Sequence, residues 1–251
     1  MVHSVLSKIS KPMRLARQHG LIRAGYSVVH SVICRFGLEK WIRFSVSDIF
    51  FARVPDLLKD CRIPRAFEIR FATQKDLPAI EALDRKREHA GARLREGDLC
   101  LLLWLGSELK AMEWVAIGAR DYWEDWTELH MTIRVPAGSC LAFDGRGKAP
   151  GAWGMVMRVL PSELDRIGIH TIYMRIDYAN VVSLSSHRSA GYSPIGRVFH
   201  CGVGGLDVSL CRDEQGSWHF LPAKLRDLEL AAPSSQKARQ QFELFPMYRK
   251  W

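Results

Sequence analysis

From Leu141 to Met157 the sequence leaves an apolar strand, passes through Asp144-Gly-Arg-Gly-Lys-Ala-Pro-Gly151 and enters an apolar helix. The first N–H groups of a helix lack intrahelical partners, and the macrodipole places partial positive charge there. Small residues that let the backbone approach therefore turn such a start into a seat for phosphate. Arg146 and Lys148 add full charges. The glycine spacing fits neither the P-loop nor the dinucleotide fingerprint, so the loop alone leaves a plain turn open. The residues that follow decide between the two.

Beyond the loop an apolar helix, Trp153 to Ile167, leads through Gly168 to the strand Thr171-Ile-Tyr-Met-Arg-Ile176, and then to Asn180, Ser183, His187 and Gly191-Tyr192. This series resembles the GNAT superfamily of acyl-CoA-dependent N-acyltransferases. Their core reads strand, Arg-Gly-x-Gly-x-Gly/Ala, helix, strand, then Asn, a helix and Gly-Phe/Tyr. Arg146-Gly-Lys-Ala-Pro-Gly-Ala152 matches the loop, and Glu68-Ile-Arg-Phe-Ala-Thr-x-x-Asp-Leu-Pro78 looks like the family's first strand and helix. Ala149 departs from the pattern by standing where the family usually has Gly, and Pro150 offers no N–H, though Pro suits a first helical position. The resemblance covers about residues 66–212. It implies an α/β (α+β) GNAT fold with a mixed central sheet of six to seven strands flanked by helices.

The 251 residues allow one sizeable domain with appendages. Expected divisions are a basic helical N-terminal extension over 1–63, an acyltransferase domain over 64–221 and a C-terminal tail over 222–251. No apolar run approaches the ~18 residues of a membrane span. Six cysteines occur without a Cys-x-x-Cys pair, so neither a zinc site nor a disulfide scaffold is indicated, and no metal is expected. A cytoplasmic location is the default. The net charge of +9 is uneven: residues 1–43 carry eight basic residues against Glu39 alone. The near-balanced remainder argues against a nucleic-acid surface.

Mixed three- and four-residue apolar spacing over 4–36 predicts amphipathic helices, either packed on the domain or a second subunit, or lying on anionic lipid or an acidic protein. Leu38 to Leu58 is expected to fold back as a helix, with a boundary at Cys61–Ala66. Thr73-Gln-Lys-Asp76 has capping-box spacing before a helix to about Arg87. Leu99–Leu105 and Leu109–Ile117 predict a hairpin around Gly106-Ser107. Arg120-Asp-Tyr-Trp-Glu-Asp-Trp126 reads as a loop whose acids and aromatics suit a cationic amine. Glu128–Val135 and Ser139–Ala142 predict strands on either side of a turn at Pro136-Ala-Gly138. Two further strands flank Gly202-Val-Gly-Gly205, read as a hairpin turn, and Ser234–Leu244 as a polar helical stretch.

The resemblance assigns acetyl-CoA or another acyl-CoA as cosubstrate, with pyrophosphate on Gly147, Lys148, Ala149, Gly151 and Ala152. Arg146, Leu141 and Asn180 are further cofactor contacts, the last with helix entry as its alternative. His187 occupies the position of the family's thiolate-protonating Tyr, seven residues after Asn180, and is expected to act as acid, against the plainer reading of a helix-surface His. Glu113, an acid on a central strand, is the first candidate base, ahead of Glu128 and His130. The acceptor is a small-molecule amine. A looser likeness, carried by Arg93-Leu-Arg-Glu-Gly-Asp-Leu-Cys100 and Asn180 to Tyr192, is to GNAT proteins encoded with bacterial polysaccharide biosynthesis, which implies an amino sugar or surface-polymer precursor. Transfer from acyl carrier protein, a non-catalytic GNAT-like binding protein and a homodimer remain open.

Overall fold

The computed structural model describes residues 21–38, 41–58, 63–83, 89–118, 120–124, 131–203, 206–212, 216–221 and 227–229. In chain order they form helix α1 (Leu21–Arg35), strand β1 (Ile42–Arg53), the short helix α2 (Val54–Leu57) and β2 (Phe67–Phe71). A single 3-10 turn (Gln74–Asp76) continues into α3 (Leu77–Leu83), followed by α4 (Ala90–Glu96), β3 (Leu99–Leu105) and β4 (Glu108–Ile117). Then come β5 (Arg120–Glu124), β6 (Met131–Val135), β7 (Ser139–Gly147), α5 (Ala152–Arg166), β8 (Thr171–Asp177) and α6 (Val181–Ala190). The last elements are β9 (Ser193–Val203), β10 (Leu206–Arg212), β11 (Trp218–Leu221) and β12 (Asp227–Glu229).

Nine strands make one mixed sheet in the order β11-β10-β9-β1-β8-β7-β4-β3-β2, and β12-β6-β5 form a small second sheet. The expected mixed α/β class is present, with more strands than the six to seven anticipated. The chief reason is β1. It runs antiparallel between β8 and β9, with Phe51 opposite Tyr173 on one side and Ile42 opposite Val203 on the other. Within Leu38–Leu58 the chain is therefore a strand over Ile42–Arg53 and helical only at Val54–Leu57, and β1 and β2, on either side of the boundary expected at Cys61–Ala66, belong to one sheet. Burial on both faces explains the misreading. Phe50 and Ala52 join the core on one face, Ile49 and Phe51 the core on the other, so no period-two alternation shows.

Helices α2, α5 and α6 cover one face of the sheet over a core that includes Phe50, Leu101, Val156, Leu160, Ile172 and Leu184. Helices α3 and α4 cover the opposite face at β2–β4, over Leu102, Met112 and Trp114. The capping box forms as expected: Asp76 Oδ2 accepts the Thr73 N–H at 2.7 Å and the Thr73 hydroxyl at 2.9 Å, while the Asp76 N–H closes the turn on the Thr73 carbonyl at 3.0 Å. Arg70 also holds that carboxylate at 2.7 Å and keeps it well below the ordinary carboxylate range.

Arg120–Glu124, expected as a loop, is a strand, with Tyr122 opposite Ile133 of β6. Backbone pairing to β6 wins over the local polar composition. Leu206 pairs with Val203, so β9 and β10 form an antiparallel hairpin as anticipated. Residues 1–20, Glu128, His130 and the stretch Ser234–Leu244 lie outside the described residues, as do the side chains of 120–124.

Candidate functional site

Strands β7 and β8 run parallel and pair from Ser139 opposite Thr171 to Ala142 opposite Met174. Both continue, to Gly147 and Asp177, but no longer pair with each other. On its other side β7 is irregular: Phe143 faces Trp114 and Arg146 faces Met112, so Asp144 and Gly145 together oppose Glu113. This is a β-bulge, which bends the bulged strand and frees a residue from the ladder. Asp144, at φ 51°, is the non-glycine residue with left-handed backbone among those described. Its carboxylate is held by buried Arg93 at 2.6 Å, and that guanidinium stacks over Trp114 and Phe143 at 4.9 and 5.0 Å. The opening between β7 and β8 thus begins where a strained residue is tied down from the opposite face.

Glu113 sits in this opening on the α5 side. It is buried, and its Oε2 accepts a 2.6 Å hydrogen bond from Trp153 Nε1, at the start of α5. A Cβ at Gly145 would fall on the Glu113 carboxylate and the Trp153 indole nitrogen, so glycine is needed where that bond crosses β7. Burial pushes the Glu113 carboxyl up to about 8, assisted by the Asp144 charge and opposed by the Trp153 bond and the Arg146 charge. At neutral pH it carries its proton.

His187 reaches the same cluster from the buried side of α6. Its ring lies 5.2 Å from Trp153, 5.4 Å from Tyr192 and 6.1 Å from Phe50, centroid to centroid. Nδ1 is 2.7 Å from Ser183 O, an acceptor, which assigns the proton to Nδ1 and leaves Nε2 with a lone pair. Burial lowers its pKa, against a raising effect of that bond. His187 is therefore neutral at pH 7 and not on the helix surface. Tyr192 closes the cluster: its hydroxyl is buried with no hydrogen-bond partner among the described residues, and its ionisation is opposed by burial and by nearby Cys140 and Glu113.

The phosphate cradle differs in detail from expectation. Gly147 is still in β7, opposite Ala111, and the Lys148 N–H is committed to Lys110 O at 2.8 Å. The Ala152 N–H bonds Ala149 O at 3.2 Å and that of Met155 bonds Gly151 O at 3.1 Å. The N–H groups of Gly151, Trp153 and Gly154 have no backbone acceptor among the described residues. Gly151 is the N-cap, at φ 78°, with no side-chain cap and no acid in the first turn of α5. An anion fits this uncapped start, with Lys148 exposed beside it and 3.8 Å from Glu108.

Three expected contacts fall elsewhere. The Leu141 backbone pairs with Ala116 and Tyr173 and its side chain is buried on the face away from α5, so the edge free of β8 begins at Phe143 instead. Arg146 pairs with Met112 and so shares that residue's face, opposite α5; its charge acts on Glu113. Asn180 Oδ1 accepts the Ser183 N–H at 3.1 Å and caps α6. The sequence reading missed Trp153, Tyr192 and Gly145 as parts of the site. A glycine interrupting a strand next to the anion loop was the one available signal.

No family model and no curated protein matches the chain. Among solved structures it is similar to a conserved protein of unknown function from Staphylococcus epidermidis, at TM-score 0.48 and 8% identity over 71% of this chain and 68% of that one. It is similar to a tandem GNAT protein from the clavulanic acid biosynthesis pathway, at TM-score 0.48 and 10% identity over 70% and 58%. A third likeness is to a ribosomal-protein-alanine N-acetyltransferase from Brucella melitensis, at TM-score 0.37 and 20% identity over 54% and 86%. Each overlap is partial and low in identity.

Proposed function

We propose that this chain is a GNAT-type N-acyltransferase that moves an acetyl or longer acyl group from acyl-CoA to a primary amine. The observation that carries the reading is the bulged departure of β7 from β8, with Glu113 and His187 beside it and the uncapped N-terminus of α5 at its end. The sequence series from Arg146 to Tyr192 supports it independently. When bound, acyl-CoA supplies a thioester carbonyl: the amine nitrogen forms the new C–N bond, the C–S bond breaks and the thiol leaves.

The N–H groups of Gly151, Trp153 and Gly154, with Lys148, hold the phosphates. From Phe143 onward the β7 edge that has parted from β8 offers its N–H groups to the carbonyl oxygen. The two titratable side chains exchange the roles the sequence suggested. Glu113 holds a proton at neutral pH and is suited to donate it; His187 is neutral, with its Nε2 lone pair suited to take the proton the amine loses. An amino sugar or surface-polymer precursor is the acceptor class we favour. Isothermal titration with acetyl-CoA and longer acyl-CoAs tests the reading, and absence of heat up to millimolar ligand overturns it.

A second reading, a GNAT-like binding protein without catalysis, is favoured by the loss of two expected phosphate donors, the Lys148 N–H to Lys110 O and the Ala152 N–H to Ala149 O. Acyl-CoA binding without acyl transfer to any of a panel of amines would select it.

A further inference from the structure

Helix α1 rests on the domain by a narrow flank. Tyr26 and Ile33 are buried, and the Tyr26 hydroxyl donates to Asp177 Oδ2 at 2.9 Å while its ring lies 5.5 Å from that of Phe44. Beside that flank runs a second apolar stripe. Val28, Val29, Val32 and Phe36 are 40, 46, 45 and 68% exposed. Phe36 keeps helical register, since its N–H bonds Val32 O at 3.1 Å, so the four fall within about 100° of the helix circumference. Trp41, shortly after the helix, is 67% exposed, and exposed Arg35 borders the stripe on the Val28 side.

Charge names the occupant. Residues 1–43 hold eight basic residues and one acid. Bringing two copies together through this segment would set one basic set against another, whereas an anionic surface attracts both sets of features at once. We propose that α1 is a membrane-surface element, its apolar stripe entering the headgroup boundary of an anionic phospholipid bilayer, with Arg35 beside the stripe and the net positive charge of residues 1–43 favouring the anionic surface. The inference is independent of acyl transfer.

Vesicle flotation of the full chain tests it. The bound fraction should be low on phosphatidylcholine, rise by about tenfold as phosphatidylglycerol is added, and fall again with salt. Replacing the stripe, Val29→Asp with Val32→Asp and Phe36→Asp, should abolish that rise while the melting midpoint stays put, because these side chains are exposed. A second variant, Lys8→Gln with Lys11→Gln and Arg14→Gln, leaves the stripe intact and should weaken binding to anionic vesicles alone. Binding indifferent to phosphatidylglycerol overturns the proposal. So does a stripe variant that floats like its parent, or a dimeric parent whose stripe variant sediments as a monomer.

Discussion

Glu113 and His187 have environments that push their protonation in opposite senses, and that gives a signed pH profile. His187 works only when neutral, so turnover should fall as pH drops through its lowered pKa; Glu113 works only when protonated, so turnover should fall again as pH passes about 8. Glu113→Gln should cut kcat by about 10²- to 10⁴-fold and remove the alkaline limb, and His187→Ala should remove the acid limb. Profiles of kcat/KM against pH for the three proteins check both assignments; limbs assigned the other way restore His187 as donor. The same carboxyl affects stability. Its folded pKa lies above the ordinary 4.5, so the folded state binds more protons between 4.5 and about 8, and stability should decline as pH rises across that window. Glu113→Gln keeps an acceptor for Trp153 and should flatten that decline in melting temperature. Little of this was legible in the sequence: Glu113 stood out as an acid in an apolar run, but it keeps its proton because it is buried, at a place set by partners as remote as Trp153, forty positions on, and by the space left at Gly145.

At the scale of elements, the β7–α5 passage is where sequence and structure agree best and still differ instructively. The strand, the turn and the helix were readable from apolar runs and glycine. The strand's extra length to Gly147 was not, because the pairing of Gly147 with Ala111 belongs to β4. Ala149 has no left-handed backbone, so the departure from the family's glycine stores no strain. Ala149→Gly should therefore leave acyl-CoA affinity within about twofold by titration calorimetry, a change of ~0.4 kcal/mol. Gly151 is the demanding position: Gly151→Ala puts a Cβ on left-handed backbone and should cost ~1–2 kcal/mol in chemical denaturation while also weakening acyl-CoA binding. A substitution that loses binding with unchanged stability would show that the residue serves the ligand and not the turn.

For the whole molecule, the consequential element is β1, which lies inside the main sheet between β9 and β8. Sequence patterning caught the N-terminal charge and α1, but not a strand whose two faces are both buried. Ile49, Phe50 and Phe51 are each worth ~1.5–3 kcal/mol on burial, against a total stability of ~5–15 kcal/mol for a typical domain. Deleting residues 1–63 should yield an insoluble or unfolded chain by circular dichroism, whereas an appendage could be removed without loss of structure. The same strand sets an order of events during synthesis. β1 leaves the ribosome early, with both backbone edges bare, and its partners β8 and β9 begin more than a hundred residues later. At elongation rates of ~5–20 residues per second that is a wait of roughly ten seconds. Throughout it Asp48-Ile-Phe-Phe-Ala52 is an unpaired apolar segment on a nascent chain, so this protein should depend on ribosome-associated chaperones more than one whose central strands are all made last.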